Sequence, residues 1–119
     1  MKRARPEDRI QAAVMKHLQL RGAPGLFAFH PANGGYRRPI EAKILKSLGV
    51  VSGVPDVIAI HAGNIYALEI KSESGRVTAS QILVQNALRA AGAEVATAYG
   101  LDAALAQLEA WHLLRGTVQ

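Results

Sequence analysis

The chain contains no cysteine among its 119 residues. That excludes disulfide staples, thiolate nucleophiles and cysteine-based zinc sites together. No apolar run has the length needed to cross a bilayer, and Met1-Lys-Arg-Ala-Arg-Pro6 leads into an amphipathic helix instead of a secretory apolar core, so a cytoplasmic protein is expected. Negative charge is also scarce: nine Asp and Glu stand against fourteen Lys and Arg, a formal net charge of +5. Such an excess favours a polyanionic partner, nucleic acid first, although a basic soluble domain without that partner gives the same balance. The four histidines, His17, His30, His61 and His112, form no close metal-binding pair in sequence. No internal repeat or low-complexity segment interrupts the chain.

What is present suits one globule. Half the residues are hydrophobic and 19% are charged, enough apolar material for a core, and the length fits a single domain over residues 1–119. Pro6 suits a first helical turn, and Ile10, Val14 and Leu18 recur at helical spacing up to Gly22. Residues 26–30 read as a short extended segment, followed by the polar, basic loop Pro31-Ala-Asn-Gly-Gly-Tyr-Arg-Arg38. Pro39 can start a second helix with an apolar stripe of Ile40, Ile44, Leu45 and Leu48, ended by Gly49. Residues 57–61 and 65–71 are β-prone runs around Ala62-Gly63-Asn64, and taking Gly63 and Asn64 as the turn makes them an antiparallel hairpin. Thr78 and Gln81 match a capping box for a third helix that stops at Gly92, residues 94–99 return as a parallel strand, and Asp102 can cap a last helix ending near Gly116. The order predicts an α/β fold, a mixed β-sheet with an antiparallel hairpin flanked by helices.

The chemistry concentrates in Gly53-Val-Pro-Asp56 and Leu68-Glu-Ile-Lys71. With Ala62 paired to Ile65, Ile58 falls opposite Glu69 and Asp56 opposite Lys71, and strand alternation brings Asp56, Glu69 and Lys71 out on one face. Two carboxylates and an ammonium are what phosphodiester hydrolysis with a hard divalent cation requires. Asp56 and Glu69 supply oxygen ligands, the backbone carbonyl of Ile70 can add a third, and Lys71 can orient or deprotonate a water or stabilise charge developing on phosphorus. The plainer alternative is a turn residue beside a cross-strand ion pair. His61 falls on the opposite hairpin face, and no histidine is assigned a catalytic role.

Several ordered motifs extend this pattern: Glu7-Asp-Arg-Ile-Gln11, His30-Pro-Ala-Asn-Gly-Gly35, Gly49-Val-Val-Ser-Gly-Val-Pro-Asp56, Leu68-Glu-Ile-Lys71 and Gly75-Arg-Val-Thr-Ala-Ser-Gln81. Through them nearly the whole chain resembles a stand-alone member of the VRR-NUC family in the PD-(D/E)XK nuclease superfamily. The resemblance implies a restriction-endonuclease-like core, Mg²⁺ or Mn²⁺ dependence, structure-selective cleavage of branched or duplex DNA in the manner of Holliday junction resolvases, and a homodimer. It further implies that Glu7 faces the metal site and that Gln81 lies beside it. As residues alone, Glu7 is an acid favoured by the first turn and Gln81 completes a capping box. His30, Asn33, Tyr36, Arg37 and Arg38, with Lys43, Lys46 and Arg76, are candidate DNA contacts, or else parts of a solvated connector and a charged surface. A non-catalytic nucleic-acid-binding module with a nuclease-like fold is the rival functional reading. It would be expected to have lost one of Asp56, Glu69 and Lys71, and all three are present.

Overall fold

Between two β-prone runs the chain reverses through Ala62 and Gly63, both at positive φ (50° and 80°). This pair of left-handed residues matches the right-handed twist of the strands it joins. The turn therefore sits one residue earlier than Gly63-Asn64, and His61 pairs with Asn64 in place of the expected Ala62 with Ile65. Moving the turn by one residue shifts every cross-strand partner by two, so Ile58 lies opposite Ala67 instead of Glu69. A shift of two preserves side-chain parity, and the faces expected from the sequence survive although the partners change.

The computed structural model describes residues 5–32 and 38–116. Its elements are α1 (Pro6–Arg21), β1 (Phe27–Phe29), α2 (Pro39–Ser47), β2 (Val57–His61), β3 (Asn64–Lys71), α3 (Ala79–Ala90), β4 (Glu94–Tyr99) and α4 (Leu101–Ala110). The strands form one sheet in the order β1-β2-β3-β4, antiparallel except for the parallel pair β3 and β4 that the crossover through α3 produces. This is the expected mixed sheet flanked by helices.

One face of the sheet carries the core. Val57, Ala59, Leu68, Ile70 and Ala98 pack there against Val14 and Leu18 of α1 and Ala104 and Leu108 of α4. Arg21 at the end of α1 is buried, and its guanidinium donates to the Glu109 carboxylate at 2.9 Å and to the Arg115 carbonyl. A buried guanidinium is tolerable because these partners replace its water. The opposite face is covered by α3 beside β4, where Gln85 Nε2 donates to Thr97 Oγ1 at 3.1 Å. Farther across that face, Phe27, Phe29, Ile60 and Ile65 remain exposed.

Two helices depart from the sequence expectation. The last ends at Ala110, short of Gly116, and its N-cap is Gly100 (φ 92°), with Asp102 inside the first turn. The cause of the early stop is the need to bury Leu113 and Leu114: the chain breaks at His112 (φ 62°), and Leu114 then bridges to Gly22. Gly100 takes the cap because the strand must turn sharply into the helix, a backbone shape a side chain opposes. Helix α2 has the expected extent, but none of its residues is buried, and Ile40, Ile44 and Leu48 face outward. No described helix is long and apolar enough to cross a membrane.

Candidate active site

Strand β2 ends its pairing at Val57 with Leu68, one residue short of Asp56. That leaves the next stretch of β3 without a backbone partner on this side. Asp56 fills the gap with its side chain: Oδ2 accepts the N–H of Ile70 at 2.8 Å. A strand residue projects its N–H and C=O toward the same neighbour, so the Ile70 carbonyl is directed to the Asp56 side as well. From the carbonyl end Asp56 is braced by His30, whose Nδ1 lies 2.6 Å from the Asp56 oxygen. A carbonyl only accepts, so Nδ1 carries the proton and Nε2 is left for other contacts.

Glu69 and Lys71 follow on β3 two residues apart and share a face. Both are buried, at 2% and 5% exposure, and Lys71 Nζ lies 3.7 Å from Glu69 Oε2. The other oxygen, Oε1, is buried with no hydrogen-bond partner among the described residues. Burial pushes the Glu69 carboxyl up from 4.5 to about 8; the neighbouring Asp56 carboxylate adds to the rise, and Lys71 opposes it. Near neutrality this acid therefore holds a proton that an added cation could displace.

Gln81 completes the helix cap and also reaches Glu69. Its Oε1 accepts the Thr78 N–H at 2.8 Å, while the Thr78 hydroxyl accepts the Gln81 N–H at 3.2 Å, closing the capping box. Because Oε1 is fixed by a backbone donor, Nε2 is the atom that reaches Glu69 Oε2, at 3.3 Å. Glu7, in the first turn of α1, places Oε2 3.4 Å from the Ser72 N–H, just past Lys71. No cluster of three or more His, Cys, Asp and Glu side chains stands at ligand spacing among the described residues. The two close carboxylates, Asp56 and Glu69, with the Ile70 carbonyl, are the oxygens that could hold a cation, and Glu7 flanks them.

Of the candidate DNA contacts, Asn33, Tyr36 and Arg37 lie outside the described residues. Arg38 pairs with Glu41 at the start of α2. Lys43, Lys46 and Arg76 are exposed, with no ion pair among the described residues. His17 accepts from Arg21, and His61 lies 3.1 Å from the Pro24 carbonyl, both away from the carboxylates. A surface cavity of about 360 Å³ opens at the far end of β3, between Tyr66, Glu94 and Trp111, and includes none of the site residues. The brace from His30 and the Gln85 contact with Thr97, which is in register with Glu69, were not anticipated. Alternation along β4 would have placed Thr97 on the Glu69 face once a parallel register was assumed.

No family model matches the chain, and no curated protein matches it. Among solved structures, a "VRR_NUC domain protein" superposes with a TM-score of 0.71 at 22% identity, covering 99% of each chain. A second, a "VRR_NUC domain", gives a TM-score of 0.61 at 19% identity over 89% of this chain and 97% of the other. The chain thus has the VRR-NUC fold.

Proposed function

We propose that this protein is a divalent-metal-dependent endonuclease that hydrolyses DNA phosphodiesters. The observation that carries the reading is Glu69: a buried acid with one orphan oxygen, pushed toward its protonated form beside a second carboxylate, with an ammonium 3.7 Å away. A structural ion pair would leave the orphan oxygen unsatisfied and a second carboxylate close beside the first. A cation satisfies both, and the fit of this donor set favours a hard ion such as Mg²⁺ or Mn²⁺.

Asp56, Glu69 and the Ile70 carbonyl would hold the metal, with Glu7 at the margin of the donor set. When bound, it polarises the phosphate and lowers the pKa of a coordinated water. The protein's own groups do the rest. Lys71 orients the attacking water or balances charge on the phosphoryl oxygens, and Gln81 keeps the Glu69 carboxylate turned toward the site. His30 fixes Asp56 through its backbone and, with Asn33, Tyr36, Arg37, Arg38, Lys43, Lys46 and Arg76, forms the DNA-contacting surface. The substrate is branched or duplex DNA, cut by a homodimer whose two sites address opposing strands. Exposed Ile40 and Ile44 on α2, with Leu48 just after it, are apolar surface that such a dimer can use.

The test is cleavage of labelled four-way junction, flap and linear duplex DNA with Mg²⁺, Mn²⁺ or EDTA, comparing the wild type with Lys71→Ala. Metal-dependent cuts absent from the variant are expected. Binding of these DNAs by folded protein without cleavage under any metal condition would transfer the fold to a non-catalytic binding role.

A further inference from the structure

The loop from α2 to Asp56 contains two glycines at positive φ, Gly49 at 96° and Gly53 at 87°. Their surroundings differ sharply. A Cβ built on Gly49 would have nothing within 4 Å, whereas one on Gly53 would lie 2.8 Å from the Ser80 carbonyl oxygen, 2.9 Å from its carbon and 3.1 Å from the Gln81 nitrogen. These are backbone atoms of the first turn of α3, which cannot swing aside as the tip of a flexible side chain can. Three residues after Gly53 stands Asp56, and the residue after Ser80 is Gln81, whose amide holds Glu69. The contact locks the approach to one carboxylate against the support of the other.

Gly75 makes a softer contact on the far side of the site, against side chains in place of backbone. A Cβ there would lie 2.9 Å from Glu7 Oε2 and 3.3 Å from both Cβ and Cδ of Lys71. The turn that brings it there closes with the Gly75 N–H on the Ser72 carbonyl at 3.0 Å, and φ of Gly75 is outside the positive region, so an added Cβ acts here only through space, by displacing the Glu7 and Lys71 side chains.

We propose that Gly53 and Gly75 are positioning residues of the catalytic site: bare backbone at Gly53 sets Gln81 and Glu69 relative to Asp56, and bare backbone at Gly75 sets Lys71 relative to Glu7. The proposal rests on the nuclease reading for its effect on turnover and on geometry alone for its effect on Gln81. Gly49 supplies the control, because alanine there introduces similar backbone strain without the close approach.

The experiment compares Gly53→Ala, Gly75→Ala and Gly49→Ala with the wild type in steady-state DNA cleavage and in the side-chain amide NMR signals of Gln81. At Gly53→Ala, kcat should fall about 100-fold with KM for DNA unchanged, the scale of an ångström's misplacement, and the Gln81 signals should shift. Gly75→Ala should lower kcat and leave the Gln81 signals in place. Gly49→Ala should keep wild-type kcat and Gln81 signals despite a lower Tm. Equal losses at Gly49→Ala and Gly53→Ala, or unfolding of Gly53→Ala alone, would assign the loop contact to stability and overturn its positioning role. Unchanged kcat at Gly75→Ala would do the same for the second contact. A wild type that cuts no DNA would sink the nuclease reading, while the Gln81 signals would still decide the Gly53 contact.

Discussion

The two faces of the sheet use the same four strands to opposite ends. Toward α1 and α4 they present Val57, Ala59, Leu68, Ile70 and Ala98, and every one is sealed in an apolar core. Toward α3 they present the buried Glu69 and Lys71, with one Glu69 oxygen left unpaired, beside a half-buried Thr97, and then Phe27, Phe29, Ile60 and Ile65, which are apolar and exposed. On the first face residue type and environment agree, while on the second they conflict twice. Conflict of that kind costs stability and is retained where the groups have another task. Stability should therefore respond to changes on the closed face and activity to changes on the open one.

The largest expected effects set the two faces directly against each other. Glu69→Gln should reduce cleavage about 10³-fold, the equivalent of roughly 4 kcal/mol of transition-state stabilisation. Above pH 8 it should nonetheless raise Tm, because the amide removes a buried charge that desolvation disfavours. On the closed face, Leu108→Ala empties a fully buried position and should lower stability by about 2–5 kcal/mol while sparing kcat in the protein that remains folded. Denaturant titrations and single-turnover cleavage on the same samples check both. A Glu69→Gln variant that is inactive only because it unfolds would erase the contrast between the faces.

The pH response of the metal-free protein sharpens the comparison further. Glu69 is held at about 8 when folded against 4.5 as a free side chain, so the folded state binds more protons between those values. Its stabilising contribution is complete below about pH 4.5 and is lost as pH rises through about 8. Glu69→Gln should flatten this slope, and saturating Mg²⁺ should reduce it in the wild type by replacing the proton with the cation. For the same reason Mg²⁺ should bind more tightly as pH rises from 6 to 8, with proton release measurable by calorimetry in buffers of different ionisation enthalpy. A slope that survives Glu69→Gln would place the titrating group elsewhere.

How much of this could be read from the chain depended on whether the cause was local. Elements with a local punctuation mark, Pro6, Pro39, the Thr78 and Gln81 box and Gly92, begin or end as read, since each mark acts within one turn. The parallel placement of β4 followed from the crossover rule alone. The end of α4 did not, because it is decided by where Leu113 and Leu114 find cover against α1, a tertiary demand that no residue near Gly116 announces. In the candidate site, the common face of Asp56, Glu69 and Lys71 was legible because parity survives a turn displaced by one residue. The His30 brace and the Gly53 contact were illegible, since each joins segments at least 26 residues apart and ends on a backbone atom, which leaves no residue-type signature in the partner.

The smallest predicted effect lies where the sequence misled, at the hairpin turn. Ala62 holds φ 50°, a conformation in which its Cβ crowds the following carbonyl, while its neighbour Gly63 takes φ 80° freely. Asn-Gly is the pair this turn prefers, so Ala62→Asn should raise stability by about 1 kcal/mol, and Ala62→Gly by somewhat less because glycine also loosens the unfolded chain. The turn fixes the register and therefore which residues reach each face, but it stands at the opposite end of β3 from Glu69 and Lys71. Relaxing its strain without moving it should leave cleavage at the wild-type level. A rise in Tm of about 4–8 °C with unchanged kcat would place stability and chemistry at opposite ends of one hairpin. A stabilised turn that altered kcat would mean that the register at the site is still adjustable, and that Asp56 is held less firmly than its bond to Ile70 implies.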